Sequence, residues 1–530
     1  MRRPCLFPFL FTLISRTGYF YLARLLPVVY KVAGRFTWHA HTCVASRNRQ
    51  VHFRRQRKRY RSVSASKSPR ESATFSLEHR PAIDRVDKNS QVLLLLIVEM
   101  KSNSTMRSVL LHLLLLLASV YATDNEKKRY DGYRLYKVFV PDTTGLELLR
   151  DMYDDDGYHL WHPPTINNTA EVMIAPAKIQ EFMEKVNTSK LQPELMMDDV
   201  QRYIDDENPR GNVRGGFDWL GYHRLDSIYS WLDSLVTQHP KIVKPITGGS
   251  SYEGRSIRGV KLSHKEGNPG IFIEGGIHAR EWISPAVVTY ILNELILSDD
   301  PRVRYMAESY DWYIFPVFNP DGYEFTHTTY IVFLRPSGRG CYGADPNRNW
   351  NFHWAEGGTS RNPCSDIYPG DRAFSETETR TMSRYIDSIH GKIFSYVAFH
   401  SYSQLLLIPY GHTNERISNY NDLFQIGNHS INALLKRYGT RYKVGNIVDV
   451  IYVASGGSMD WVRGTYNIPV TYTYELRDTG RYGFLLPASQ IIPTAKETLD
   501  SLVVMFQEAA KLGYGTSANN STQGSAPTIP

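Results

Sequence analysis

The spacing of hydrophobic and polar residues divides the chain into two structured regions. In the first, YRLYKVFVP (133–141) alternates apolar and polar positions, which is typical of a half-buried β-strand. A helical spacing near TTGLELLRDM, a strand-like run AEVMIAPA and a helical run AKIQEFMEKVN follow it. This order predicts a small α+β domain. The charged run at 198–216 then predicts a helix and a loose linker that ends in glycines.

The second region extends from Phe217 to about Leu512 and alternates strand-like and helical segments. That alternation predicts an α/β fold, with a mostly parallel mixed sheet and helices on both faces. One buried strand is predicted at GIFIEGGI (270–277). In the helix after this strand, we expect Ser284 at the N-cap and Pro285 at the first helical position.

Segments at both ends of the chain are expected to lie outside the folded protein. MRSVLLHLLLLLASVYA (106–122) combines a methionine, an arginine, an apolar core and a small-residue cleavage site, so residues 100–122 predict a secretory signal peptide. A membrane anchor is the alternative, but the apolar core is shorter than the roughly 20 residues that span a bilayer. Because a signal peptide normally begins a protein, we expect the basic extension 1–99 to be absent from the mature chain. Residues 515–530 predict a disordered tail.

The net charge of +8 comes from the basic extension. Residues 1–99 contribute +14, so the remaining residues carry −6. The run RNRQVHFRRQRKRYR (47–61) could bind nucleic acid or anionic lipid, although a solvated segment is the simpler interpretation. For the mature protein we therefore expect neither a nucleic-acid partner nor a membrane.

The cysteines indicate one disulfide. Cys5 and Cys43 fall in the basic extension, which leaves Cys341 and Cys364 as a pair in a secreted chain. Two cysteines without nearby partners are too few for a zinc site.

The residues that can carry chemistry lie at the ends of predicted strands or directly after them. His278 and Glu281 come after GIFIEGGI, and two further strand-like segments end in His400 and Glu475. Ligands of open α/β sheets bind at the carboxyl ends of strands. Two histidines and one glutamate form a catalytic zinc site with an open position for water, and Glu475 would be the general base. The alternatives are a chance His-x-x-Glu pattern and a histidine that merely ends a strand.

Five motifs in this order resemble the secreted zinc metallocarboxypeptidases of the pancreatic carboxypeptidase A/B type: HAREW, DPNRNW, FHSYSQ, IYVASGGSMDW and ELRDTGRYGFLLP. The resemblance covers residues 133–512, which include both a propeptide and a catalytic domain. It implies one Zn²⁺ per chain held by His278, Glu281 and His400, with Glu475 as the base. It also implies that Asn347 and Arg348 clamp the substrate carboxylate, that Tyr452 lies on a mobile loop, that Arg280 lines the cleft, and that Cys341 and Cys364 form the family's disulfide.

Met459 occupies the position that faces the released side chain in the resembling family, where an aspartate accompanies a preference for Lys or Arg. Methionine is apolar and adaptable, so it predicts an aliphatic or aromatic C-terminal residue, as in carboxypeptidase A. Ile447 and Ile451 are close in sequence and add to an apolar pocket. The alternative is that Met459 is an ordinary core residue.

The segment THTTYIVFLRPSGRGC (326–341) departs from the family pattern. An aromatic-Arg-Lys-x-Arg stretch is expected there, and its last arginine stabilises the oxyanion. Only Arg335 remains in the divergent part 330–337, and one oxyanion donor is worth about 10²–10³ in rate. A catalytically weak or silent peptide-binding protein is therefore the alternative function. We favour an error in the gene model, because the apolar run YIVFL abruptly replaces a basic stretch inside an otherwise regular domain. The intact Glu475 argues against the silent binding protein.

The sequence as a whole predicts a secreted zymogen. Its propeptide with the activation linker would occupy 123–214, and a trypsin-like protease would cut near Arg210 or Arg214. The zinc carboxypeptidase domain would occupy 215–514. We expect an extracellular monomer, for example in a digestive lumen, that acts on peptide or protein C-termini.

Overall fold

The computed structural model describes residues 128–152, 155, 157–208, 216–329 and 343–516. The basic extension, the signal peptide, most of the polar tail and the segment 330–342 lie outside the described residues. No helix within the described ranges is both long enough and hydrophobic enough to cross a membrane.

The small domain (128–208) is built on a four-stranded antiparallel sheet in the order β2-β3-β1-β4. Its strands are β1 (Arg134–Val140), β2 (Tyr158–His162), β3 (Asn168–Ile174) and β4 (Pro193–Met197). Its helices are α1 (Thr143–Asp151), α2 (Ile179–Thr188) and α3 (Val200–Glu207).

Alternation along β1 gives this small sheet two apolar faces. Val138 packs with Phe182 of α2 in the small domain's own core. Leu135, on the other face, packs in a cluster with Tyr402 and Phe484, which belong to the second structured region. The small domain is therefore attached by a hydrophobic surface of its own sheet.

The large domain (216–516) contains an eight-stranded sheet in the order β11-β10-β12-β9-β7-β8-β6-β5. Its strands are β5 (Val243–Ser250), β6 (Ser256–Leu262), β7 (Gly270–Gly275), β8 (Asp311–Phe315), β9 (Ile393–Ser401), β10 (Leu405–Ile408), β11 (Lys443–Asn446) and β12 (Val470–Leu476). Its helices are α4 (Leu225–Gln238), α5 (Ile283–Leu297), α6 (Pro301–Ser309), α7 (Pro320–Thr329), α8 (Thr377–Ile389), α9 (Tyr420–Tyr438), α10 (Ile447–Val450), α11 (Ser458–Tyr466) and α12 (Ile491–Lys511).

The centre of the large sheet is parallel, through β12, β9, β7 and β8, while β5, β6 and β10 pair antiparallel nearer its edges. Alternate residues along the strands feed two cores. One core includes α5, α9 and α12, and the other includes α8 and α11. These observations confirm the predicted mixed sheet with helices on both faces.

The expected N-cap of α5 was wrong. The helix begins at Ile283 after Trp282, so Ser284 lies in its first turn. The Ser284 hydroxyl donates a 2.6 Å hydrogen bond to the Phe399 carbonyl of β9 instead of capping α5. A serine before a proline has the residue pattern of a cap, but here a tertiary contact uses the side chain.

Candidate active site

Neighbouring parallel strands bring the candidate residues to one edge of the large sheet. The register of β12 and β9 places Glu475 opposite His400. The register of β9 and β7 places Phe399 opposite Gly275, three residues before His278. The site is therefore built at the carboxyl ends of adjacent strands, where open sheets form their ligand sites.

The loop between β7 and α5 is fixed to β9. Gly276 adopts a φ of +66°, a conformation that strains a residue with a side chain. Its N–H donates a 3.0 Å hydrogen bond to the Ser284 hydroxyl, which in turn donates to the Phe399 carbonyl. The loop that carries His278 and Glu281 is consequently held in one position relative to His400.

His278, Glu281 and His400 each direct a ligand atom toward one point. The Nδ1 atom of His278 lies 2.8 Å from Glu281 Oε1 and 3.1 Å from the Nδ1 atom of His400. The His400 Nδ1 atom lies 3.3 Å from Glu281 Oε2. One ligand atom of each residue lies within 4.8 Å of the others. The Ser401 N–H holds the Glu281 carboxylate with a 3.1 Å hydrogen bond.

This arrangement fits a zinc ion. Neutral imidazoles and a carboxylate are typical zinc ligands, and three protein ligands leave a fourth position open. The Nε2 atom of His278 lies 3.0 Å from the Asp345 carboxylate. This contact fixes the imidazole so that its Nδ1 lone pair faces Glu281 and His400.

Asp345 is a functional candidate that sequence reasoning missed. It begins the motif DPNRNW, of which the resemblance pointed only to Asn347 and Arg348. Besides its contact with His278, it accepts a 2.8 Å hydrogen bond from the Asn347 N–H and lies 3.6 Å from Arg348 Nη1. The sequence signal that could have identified Asp345 is the position of its carboxylate just before Asn347 and Arg348, the predicted carboxylate clamp.

The electrostatic surroundings favour a cation at this point. Burial alone lowers the pKa of His278, but Glu281 and Asp345 outweigh it and raise that pKa to about 10. Burial alone raises the pKa of Glu281, but His278 and His400 outweigh it and lower that pKa to about 2. A metal ion can supply the positive charge that the carboxylates stabilise here.

Glu475 has the environment of a proton acceptor. Burial raises its pKa well above the usual range for a carboxyl group, and the negative charge of Glu281 raises it further. Glutamate bases are tuned upward in this way so that proton transfer near neutral pH is efficient.

Arg348 carries a buried positive charge beside Glu475. The residue is 5% exposed, and its Nη1 atom donates a 3.0 Å hydrogen bond to the Asn347 carbonyl. Burial lowers its pKa, but Asp345 and the Tyr452 hydroxyl outweigh this effect, so the guanidinium stays charged. Asn347 in turn accepts a 3.0 Å hydrogen bond from the Ser458 N–H at the start of α11.

A cavity of about 740 Å³ lies above these residues. Its lining from the large domain includes His278, Arg280, Glu281, Arg348, Tyr452 and Glu475, and its lining from the small domain includes Trp161 and His162. The Arg280 guanidinium lies 4.1 Å from the centre of the Phe484 ring.

The small domain covers the cavity through polar contacts as well as apolar ones. Glu171 of β3 accepts a hydrogen bond from the Tyr402 hydroxyl and lies 3.3 Å from Lys137. The His162 Nδ1 atom lies 3.3 Å from the same Tyr402 hydroxyl. Burial, Arg280 and Lys137 lower the pKa of His162 to about 4.

Met459 lies outside the described lining of this cavity. It is 3% exposed and belongs to the core that includes α8 and α11. The Thr473 hydroxyl donates to its sulfur at 3.5 Å, and Thr473 precedes Glu475 by two residues on the same face of β12. Met459 is thus a core residue packed beside β12, close along the strand to Glu475.

The remaining candidates fall partly outside the described residues. Cys364 is disulfide-bonded, whereas its predicted partner Cys341 is outside the described ranges. Arg335 and the predicted cleavage sites Arg210 and Arg214 are also outside them.

Comparison with known families identifies the class of this site. Residues 228–501 match the family model for zinc carboxypeptidases, and residues 136–207 match the model for the carboxypeptidase activation peptide. The chain therefore belongs to the zinc carboxypeptidase family. It is a metallocarboxypeptidase, a hydrolase that uses one Zn²⁺, and it carries an activation peptide.

Individual relatives agree with this assignment. The chain is 47% identical over 399 residues to zinc carboxypeptidase A 1 of Anopheles gambiae, which spans 73% of this chain and 92% of that protein. It is 57% identical over 298 residues to a zinc carboxypeptidase of Simulium vittatum, which spans 55% of this chain and 98% of that protein. The crystal structure of carboxypeptidase A from Helicoverpa armigera aligns with a TM-score of 0.65 at 27% identity and covers 72% of this chain and 98% of that one.

Proposed function

We propose that this chain is a secreted zymogen whose activated form releases aliphatic or aromatic residues from the C-termini of peptides and proteins. The observation that carries the proposal is the convergence of His278, Glu281 and His400 within 4.8 Å, beside the partly buried Glu475 and the buried Arg348. A metal ligand set, a proton acceptor and a positive charge are the groups that cleavage next to a free carboxylate requires.

In this proposal, His278, Glu281 and His400 hold the metal. Zinc bound there would lower the pKa of its water toward about 7 and polarise the scissile carbonyl. Glu475 accepts a proton as water attacks that carbonyl and then passes it to the leaving amine. The planar fork of Arg348 pairs with the terminal carboxylate, and Asn347 assists it.

Three further residues would shape recognition of the substrate. Tyr452, whose hydroxyl interacts with Arg348, would hydrogen-bond the substrate once the small domain has left. Arg280 would line the cleft for residues upstream of the scissile bond. Met459 would give the pocket for the released side chain an apolar floor, and its contact with Thr473 places it near Glu475.

The small domain would act as the propeptide. Residues 100–122 would direct secretion, 123–214 would cover the cleft until a trypsin-like protease cuts after Arg210 or Arg214, and 215–514 would be the catalytic domain. The buried Trp161 and the partly buried His162 line the cavity, which supports a role in blocking substrate. The activated protein would be an extracellular monomer.

We expect protein expressed from Met106 to acquire carboxypeptidase activity only after trypsin treatment. The test measures release of Phe, Leu or Lys from peptide C-termini, with and without a zinc chelator. Phe and Leu should be released in preference to Lys, since the pocket is proposed to be apolar. The chelator and the substitution Glu281→Ala should each abolish release, because both remove the metal.

Preferred release of Lys would contradict the assigned specificity. Zinc binding without any release would instead favour the silent peptide-binding alternative. Insertion of an Arg-Lys-x-Arg stretch at 330–335 would then decide whether the divergent segment is responsible.

We also expect Glu207 to weaken the binding of the cut propeptide as the pH rises. Glu207, at the end of α3, is 3% exposed, and burial raises its pKa well above 4.5. The bound state therefore holds the neutral acid. The neutral acid of Glu207 contributes fully to propeptide binding below a pH of about 4.5. Between that pH and the raised pKa of Glu207, the affinity for the propeptide falls by up to roughly tenfold per pH unit. Dissociation of the two fragments can be followed by size-exclusion chromatography between pH 5 and pH 8.

Glu207→Gln is the matched control, because glutamine resembles the neutral acid at every pH. Tyr222 and Tyr323 face Glu207 from the large domain, and neither ionises in this range because burial raises both pKa values. The pKa of His162 in the bound state is about 4, below the ordinary histidine value of 6.5. The contribution of neutral His162 to propeptide binding is therefore lost as the pH falls from 6.5 toward 4. That effect is shared by both proteins. Equal pH dependence in wild type and Glu207→Gln would show that Glu207 does not control release.

A further inference from the structure

Glu274 is a fully buried carboxyl group on the strand that leads to the metal loop. It lies near the end of β7, opposite Ala398 of β9 and Phe315 of β8. Its exposure is 0%. A charged group in such a position is costly, so a glutamate here needs a partner or a neutral form.

The carboxyl group has one firm contact and one free oxygen. Its Oε1 atom accepts a 2.7 Å hydrogen bond from the Ser458 hydroxyl. Its Oε2 atom has no hydrogen-bond partner among the described residues. The Tyr396 hydroxyl is close to the carboxyl group but does not reach ordinary hydrogen-bond geometry. Burial raises the pKa of Glu274, which favours the neutral acid.

The contact with Ser458 connects β7 to the substrate-binding residues. Ser458 is 1% exposed and is the first residue of α11. Its N–H donates to the side chain of Asn347, the proposed partner of Arg348 in the carboxylate clamp. Met459, the proposed pocket floor, is the next residue. Glu274 therefore binds Ser458, the residue of α11 that contacts Asn347 of the clamp and directly precedes Met459.

We infer that Glu274 is a positioning residue for substrate specificity, which acts by fixing Ser458 and thereby the placement of Met459 and Asn347. The inference rests on the proposed function, because it assigns Glu274 a role through the proposed pocket floor and clamp. Glu274 does not belong to the described lining of the cavity, so the role we assign to it acts through Ser458 and not through contact with substrate.

The test compares the trypsin-activated full chain with Ser458→Ala, Glu274→Leu, Glu274→Gln and the double variant Glu274→Leu/Ser458→Ala. Ser458→Ala and Glu274→Leu each remove the same hydrogen bond. Each should raise KM for peptides ending in Phe about tenfold, with kcat and zinc content nearly unchanged. The preference for Phe over Ala should fall. The double variant should be no worse than the more affected single variant, since the residues act together.

Glu274→Gln keeps an acceptor for Ser458 and should retain the wild-type preference. Ser383→Ala is the matched control: it removes another buried hydroxyl, which donates to a carbonyl within α8 at 3.1 Å. It should leave KM unchanged. If Glu274→Leu does not fold, Ser458→Ala still tests the contact.

An unchanged KM and an unchanged preference in Ser458→Ala would overturn the inference, as would additive effects in the double variant. A fall in melting temperature without a change in the Phe-to-Ala ratio would also overturn it, by showing a purely structural role. These outcomes differ from failure of the proposed function, in which the activated wild type itself releases Lys preferentially or releases nothing.

Discussion

Glu475→Gln should lower kcat by about 10²–10⁴, while zinc content and KM stay close to those of the wild type. Glutamine preserves the size of the side chain on β12 but cannot accept a proton from the attacking water. Burial and the charge of Glu281 raise the pKa of Glu475, so the wild-type carboxylate is a strong proton acceptor in this site. Steady-state kinetics on a peptide ending in Phe, together with metal analysis of the purified protein, measures the effect.

Glu294→Gln provides the matched control. Glu294 is a partly buried glutamate on α5, the helix that follows the metal loop, and it does not belong to the described lining of the cavity. It receives the same chemical change and should keep nearly full activity. If Glu475→Gln lost its zinc, or lowered kcat no more than Glu294→Gln, Glu475 would not be the general base.

Much of the secondary structure could be predicted because the spacing of hydrophobic residues within a segment indicates whether it forms a strand or a helix. The strands β1, β7, β9 and β12 and the helices α1 and α2 follow directly from spacing of apolar residues. The predicted start of α5 was wrong, because the sequence around Ser284 looks the same whether its side chain caps the helix or hydrogen-bonds to a neighbouring strand. The strand order also depends on contacts between distant segments, which no local pattern contains.

The site illustrates the same limit. His278 follows a strand-like segment, and His400 and Glu475 each end one, so the sequence alone could place them at strand ends. Asp345 lies in a loop after a segment of divergent sequence, and its contact with His278 becomes evident only in three dimensions. The role of Glu274 could not be predicted for the same reason. A glutamate inside an apolar strand is unusual, but its partner Ser458 lies in a distant segment of the chain.

The carboxylate clamp should have the second largest effect on activity. Arg348→Met should lower kcat/KM by about 10²–10³ for peptides with a free C-terminal carboxylate, because a buried charged partner of the substrate is lost. Methionine resembles the arginine stem in length and removes only the charged head. The same peptides with an amidated C-terminus lack the carboxylate, so their slow cleavage should change little.

The ratio of acid to amide cleavage therefore isolates the interaction with Arg348. Arg463→Met is the matched control, because Arg463 is also buried, at 4% exposure, and donates a 3.0 Å hydrogen bond to the Ile468 carbonyl. We expect this change to lower the melting temperature but to keep the ratio, since Arg463 is outside the described lining of the cavity. A ratio that fell equally in both variants would show that loss of a buried arginine disturbs the fold in general. A ratio that fell only in Arg348→Met would identify the residue that selects a free C-terminus, and hence the residue that makes this hydrolase an exopeptidase.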